Sequence, residues 1–109
     1  MTDASQKPVQ TLDQAFAREC DLLLKTFLKK HKDYGKGNIL EIGDMGIAFR
    51  LTEKVSRLKN LLSQGKTPVN ESIDDNLTDI SVYGILAKLY RSGEFEKLNV
   101  DESVLAAVE

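Results

Sequence analysis

The chain is poor in the residues that staple, ligate or break: it has one cysteine, one histidine, two prolines and no tryptophan. A single cysteine, Cys20, excludes an internal disulfide and suits a reducing, cytoplasmic setting. A single histidine, His31, excludes a cluster of histidine ligands. With no Ser/His or Cys/His arrangement to support it, covalent nucleophilic catalysis is disfavoured. No apolar run approaches the roughly 20 residues that cross a bilayer. The opening MTDASQKPVQ has no apolar signal segment. It is polar and carries Pro8, so residues 1–10 read as a flexible arm ahead of one helical domain over 11–109. The formal net charge is -2, which gives no general attraction to nucleic acid or to an anionic membrane. Strand-like alternation, repeats and low-complexity tracts are missing too, which leaves helical periodicity as the signal to follow.

That periodicity defines three main helices and an all-α class. In the first, Leu12, Phe16, Cys20, Leu23 and Phe27 recur at steps of three and four, and Thr11 is the expected N-cap. On that face Cys20 reads as a core residue. Lys29, Lys30, His31 and Lys32 crowd its far end, where cations suit the helix dipole. In the second, Ile47, Leu51, Val55, Leu58 and Leu62 share a face, and Gly65 sits where a helix terminates. The glycine-bounded GNILEIGDMG before it suggests a short helical turn. The third follows a loop at Pro68. Ser72 with Asp75 three later is a capping box, and Gly93 ends the helix. Beyond Asp79 it is apolar nearly all round, which predicts a central position. The tail VDESVLAAVE suggests one more short helix.

Four acids, Glu71, Asp74, Asp75 and Asp79, crowd the start of that third helix. Glu71, Asp75 and Asp79 fall on one stripe that Tyr83 continues. Like charges four apart repel by roughly 0.2–0.5 kcal/mol per pair, and a hard cation would turn that repulsion into binding. Mg²⁺ prefers carboxylate oxygens and often bridges to substrate phosphates. The plainer explanation is that acids at a helix start complement its dipole. It serves well for Glu71 and Asp74 and poorly for Asp79, two turns in and flanked by apolar residues. Glu53 on the second helix is the natural fifth acid. Its neighbours Arg50, Lys54 and Arg57 make either a surface ion-pair ladder or a phosphate-binding stripe.

Three stretches in order, KDYG at Lys32–Gly35, GDMGIAFRLTEKVSRLKNLL and ESIDDNLTDISVYGIL, resemble the phage and bacterial family called nucleotide modification associated domain 1. That family looks like a branch of the MazG-like, all-α nucleoside triphosphate pyrophosphohydrolases. The resemblance runs from Phe27 to Tyr90. It implies Mg²⁺, with Mn²⁺ as a substitute, held between two neighbouring helices. It implies cleavage between the α and β phosphates of a nucleotide, and assembly into dimers or tetramers. By position Glu53 stands for the first metal-binding helix, and Asp79 for the acid that precedes the apolar run on the second. MazG-like enzymes usually carry Glu-x-x-Glu on the first helix. Here Arg50 and Ser56 occupy the positions three either side of Glu53. They usually carry Glu-x-x-Asp on the second, where this chain has Asn76 three before Asp79 and Asp75 four before.

The leading expectation is a Mg²⁺-dependent nucleotide pyrophosphohydrolase or a nucleotide-binding relative. Glu53, Glu71, Asp75 and Asp79 would hold metal, with Glu53 and Asp79 central to catalysis. Arg50, Lys54 and Arg57 would steady the phosphates, Asn76 would orient a water, and Lys32, Asp33 and Tyr34 would close over base or sugar, Tyr34 by stacking. The alternative is a non-enzymatic helical interaction module, such as a small phage regulatory or assembly protein. In either case the third helix carries more apolar surface, at Val82, Leu86 and Leu89, than two neighbours should cover. A second copy is expected to cover it by two-fold packing of the second or third helices.

Overall fold

The computed structural model describes residues 8–65 and 72–109. The arm up to Lys7 and the loop with Pro68 and Glu71 lie outside the described residues. The helices, in order, are α1 (Leu12–Tyr34), α2 (Gly37–Gln64), α3 (Ile73–Ser92), α4 (Glu94–Lys97) and α5 (Glu102–Ala106). The described residues contain no strand. The all-α class, the three long helices and the short C-terminal one match the periodicity of the sequence. Helix α4 has no apolar period of its own to announce it.

Local chemistry sets the helix ends. The Thr11 hydroxyl accepts from the Gln14 N–H at 3.4 Å, and the Gln14 side chain accepts from the Thr11 N–H at 3.2 Å. At α3 the Ser72 hydroxyl accepts from the Asp75 N–H at 2.8 Å, and the Asp75 carboxylate accepts from the Ser72 N–H at 3.4 Å. Each box satisfies two donors that a helix start leaves orphaned, and such a cap contributes about 1 kcal/mol.

Helix α2 is broken once. Gly43 has φ 61° and ψ -165°, a region that essentially only glycine enters. The first piece of α2 is the glycine-bounded turn expected from the sequence. The bend brings Ile42 over Gly46 so closely that a Cβ on Gly46 would overlap the Ile42 side chain. The Tyr90 hydroxyl closes over the bend, 3.1 Å from where a Cβ on Gly43 would lie. Arg91 and Asp44 form an ion pair at 3.0 Å that ties the same bend to the end of α3.

Helix α3 packs against α1, α2 and α4, the central position its composition predicts. The core joins Ile39 and Ile47 from the two pieces of α2, Val82 and Leu86 from α3, and Phe95 from α4. Two expectations are corrected here. Val82 and Leu86 need no second copy, because they are buried within this chain. The apolar stripe of α1 is not continuous core either. Leu23 and Phe27 pack on the core, whereas Leu12 is 85% exposed, Phe16 72% exposed, and Cys20 lies on the surface. The cause is the antiparallel register of α1 and α3. Lys30 meets Asp79, and Cys20 lies across a groove from Leu89. Helix α3 ends at Ser92, so the first two turns of α1 run past it.

Two glycine substitutions test this account. Gly43→Ala should cost about 1–3 kcal/mol, the strain of a side chain in that backbone region, with further cost from Tyr90. Gly84→Ala, in mid-α3 with nothing within 4 Å of the new Cβ, should be neutral or stabilise by up to about 1 kcal/mol. Urea unfolding of both variants gives the comparison, and equal effects would contradict the bend as described.

Candidate functional site

Asp79 is where the three long helices meet. Lys30 of α1 donates to one carboxylate oxygen at 3.0 Å, and Lys54 of α2 reaches the other at 2.8 Å. The Asp79 side chain is 20% exposed and that of Lys54 22%, so the second pair is largely shielded from water. The positions follow from helical spacing. Lys54 continues the inner face of Ile47, Leu51 and Leu58, and Lys30 that of Leu23 and Phe27. Burial pushes the Asp79 carboxyl up. The hydrogen bonds from Lys54 and Lys30, together with their charges, outweigh this and hold it below the usual carboxylate value.

Two depressions open on either side of the Lys30–Asp79 pair. The first is a crevice of about 310 Å³ walled by rings, with Phe27, His31, Tyr34 and Tyr83 on its sides and Asn38 at its edge. The His31 ring tilts against Phe27 with centroids 5.2 Å apart. The second is a groove of about 630 Å³, where Lys25, Lys29 and Lys30 of α1 face Asp74, Asp75 and Asp79 of α3. One ring-lined crevice therefore joins one groove lined by opposed rows of charge.

The remaining predicted residues fall into three places. Glu53 is exposed, on the outer side of α2, where it and Arg57 line a shallow depression with Phe49 and Asn60. Arg50 is also exposed. Asp75 is in the groove, but its carboxylate serves the capping box. Glu71 lies outside the described residues. Tyr34 is 74% exposed over the crevice, and Asp33 is exposed. Lys32 turns away, donating to the Val108 carbonyl at 2.6 Å. Asn76 is wholly buried; its amide donates to the Ser72 carbonyl at 3.1 Å, and its Oδ1 has no partner among the described residues. The sequence reading passed over Lys30 as a helix-end cation. Its place three residues after Phe27 on the packed face was the signal that could have found it.

Among the described residues no group of three His, Cys, Asp or Glu side chains is placed to hold a metal ion. Asp79, the innermost acid, already has an ammonium group on each oxygen. Among the described residues this donor set does not fit a resident Mg²⁺ ion.

Fold and site together define a small all-α domain with a charged, ring-lined cleft. The chain belongs to the nucleotide modification associated domain 1 family, whose family model matches residues 30–90. That span holds Lys30, Tyr34, Asp79 and Tyr83 of the cleft and Lys54 behind it, whereas Lys25, Phe27 and Lys29 lie ahead of it. Comparisons with curated proteins and with solved structures returned no match.

The depressed Asp79 carboxyl has a consequence for stability. A group whose value is lowered on folding contributes stability above its unfolded value, here 3.8, and that contribution is lost as pH falls through the folded value. Thermal melts of wild type and Asp79→Asn in a series from pH 6 downward should therefore diverge at neutral pH and converge in acid. Parallel curves throughout would show that the two lysines do not hold the carboxylate.

Proposed function

We propose that this chain binds nucleoside triphosphates in the cleft around Asp79 and hydrolyses them to a monophosphate and pyrophosphate, as a branch of the MazG-like all-α pyrophosphohydrolases. The observation that carries the proposal is the meeting of the ring-lined crevice and the charged groove at one Lys–Asp pair. A nucleotide has the same two halves. Its base fits the crevice, where Tyr34 offers a face for stacking. Its phosphates would then pass Lys30 into the groove between the lysine row and the acid row. Mg²⁺ or Mn²⁺ would enter as part of the metal–triphosphate substrate.

Binding would exchange partners within the site. Phosphate oxygens draw Lys30 from Asp79, and a carboxylate that loses a cation becomes more basic. Asp79 is then placed to accept a proton from the attacking water as its oxygen adds to the α-phosphorus. The bond from that phosphorus to the bridging oxygen breaks, and pyrophosphate leaves with the electron pair. Lys30 and Lys54 can steady the charge that develops. In this reading the inner face of α2, with Lys54, serves the site. The outer stripe of Arg50, Glu53 and Arg57 is the rival location, with Glu53 as metal ligand.

A second reading has its own support. Met45 is 81% exposed and Phe49 67% exposed on α2, and an outward pair of that kind is what a non-enzymatic interaction module presents to a partner.

Calorimetric titration and a pyrophosphate-release assay with Mg²⁺ over a nucleotide panel separate these readings. Lys30→Ala should weaken triphosphate binding by roughly 10–100-fold, the range of one charged hydrogen bond, and weaken monophosphate binding much less. Tyr34→Ala should weaken both alike. If Glu53→Gln abolishes Mg²⁺-dependent binding and Lys30→Ala leaves it intact, the site lies on the outer stripe. If no nucleotide binds, the interaction module takes its place.

A further inference from the structure

We infer that His31 is a further binding residue of the cleft, where its imidazole, in the charged form, takes the phosphate nearest the sugar. The inference rests on the nucleotide reading and adds to it one residue and the ligand group that residue meets. Phe27, Lys30, His31 and Tyr34 of α1 all line the crevice. Their spacing, with Lys30, His31 and Tyr34 three, four and seven residues after Phe27, puts them on one face of the helix. The His31 ring tilts at 35° against Phe27, with centroids 5.2 Å apart, and Phe27 itself packs on the core. The imidazole is half-buried. It is backed by a packed ring and borders the cavity.

Its place along α1 assigns the ligand group. At 1.5 Å per residue His31 lies roughly 4.5 Å along the axis from Tyr34 and directly adjoins Lys30. A nucleotide that stacks its base on Tyr34 and sends its phosphate chain past Lys30 passes His31 with the part between, the sugar and the α-phosphate. Lys30 borders the groove as well as the crevice, so it serves the outer phosphates and His31 the first. A monophosphate therefore meets His31 as fully as a triphosphate does. A phosphate beside an imidazole favours the charged ring, because opposite charges stabilise each other. The other charged or titratable groups on the crevice are Lys30 and Tyr34 of α1 and Asp79 and Tyr83 of α3, whereas Asn38 and Ile39 of α2 and Phe95 of α4 carry none. Among these residue types only histidine ordinarily changes charge between about pH 5 and 8. A phosphate contact through His31 thus marks itself by its pH dependence.

His31 is the chain's one histidine, so its carbon-bound ring protons give a single titrating signal in the NMR spectrum of the isotope-labelled, untagged full chain. The titration is followed without ligand and with a saturating nucleoside monophosphate, the best binder of the panel. Its midpoint should rise by about one unit on binding, which by reciprocal linkage is a roughly tenfold tighter grip by the charged ring. Calorimetry at about pH 8 and about pH 6 spans the range in which histidine charges, and the advantage of wild type over His31→Gln should grow roughly 5–10-fold toward acid. The gain should be alike for mono- and triphosphate. The ligand's own phosphate titrates near pH 6, but it does so against both proteins and cancels in their ratio. A histidine that only stacks on Phe27 leaves the midpoint in place and the ratio constant. With nucleotides still bound, that result overturns the inference and leaves the nucleotide reading standing. A midpoint that falls on binding also overturns it. Absence of nucleotide binding at every pH removes both.

Discussion

A carboxylate shared by two ammonium groups holds the three long helices in one arrangement. Asp79 binds Lys30 at 3.0 Å and Lys54 at 2.8 Å, one from each flanking helix. Apolar packing of Val82, Leu86, Ile47 and Phe95 drives the helices together, but such packing tolerates sliding. A half-buried ion pair does not, since a shift that separates it leaves charge out of water without a partner. The core sets the compactness of the bundle and Asp79 sets its register. The cleft inherits that register, because both of its cavities border the Lys30–Asp79 pair.

The site also shows how a position can answer two demands. Seen from the fold, the lysines neutralise an acid that α3 carries into its packed half. Under the proposed function the same lysines would donate to phosphate, and the acid would accept a proton once they turn. Such an arrangement keeps the charges satisfied before a ligand arrives, so the free protein does not bear an unpaired buried charge.

Much of the fold was legible in the sequence, and each success has a local cause. Thr11, and Ser72 with Asp75, announce helix starts because the capping chemistry lies within four residues. Gly65 and Gly93 announce ends for the same reason. The importance of Asp79 was visible as a charge at the edge of an apolar run. Its partners were not. Lys30 and Asp79 are 49 residues apart, and periodicity in one helix carries no information about the register of another. That gap explains the emphasis on Glu53. On α2 the glutamate and Lys54 are neighbours in sequence but about 100° apart around the helix, and only packing decides which one faces inward. It explains Cys20 and Phe16 as well. Their spacing correctly marks an apolar face, yet nothing in the spacing tells where α3 will stop.

The lysines that fasten the tail make a different kind of contact. Lys32 donates to the carbonyl of Val108, and Lys36 to the carbonyl of Glu96 as well as to the Asn99 side chain. Carbonyl oxygens are present whatever residue occupies the position, so Lys32 of α1 and Lys36, just ahead of α2, grip mainly the path of the main chain, with the Asn99 side chain the one of these acceptors that depends on sequence. Substitutions at Val108 and Glu96 leave those acceptors in place, whereas loss of either lysine removes the hold. Mutational constraint on the tail is therefore displaced onto two residues far from it in the chain. The segment can drift in composition over evolutionary time while its course across the bundle stays the same.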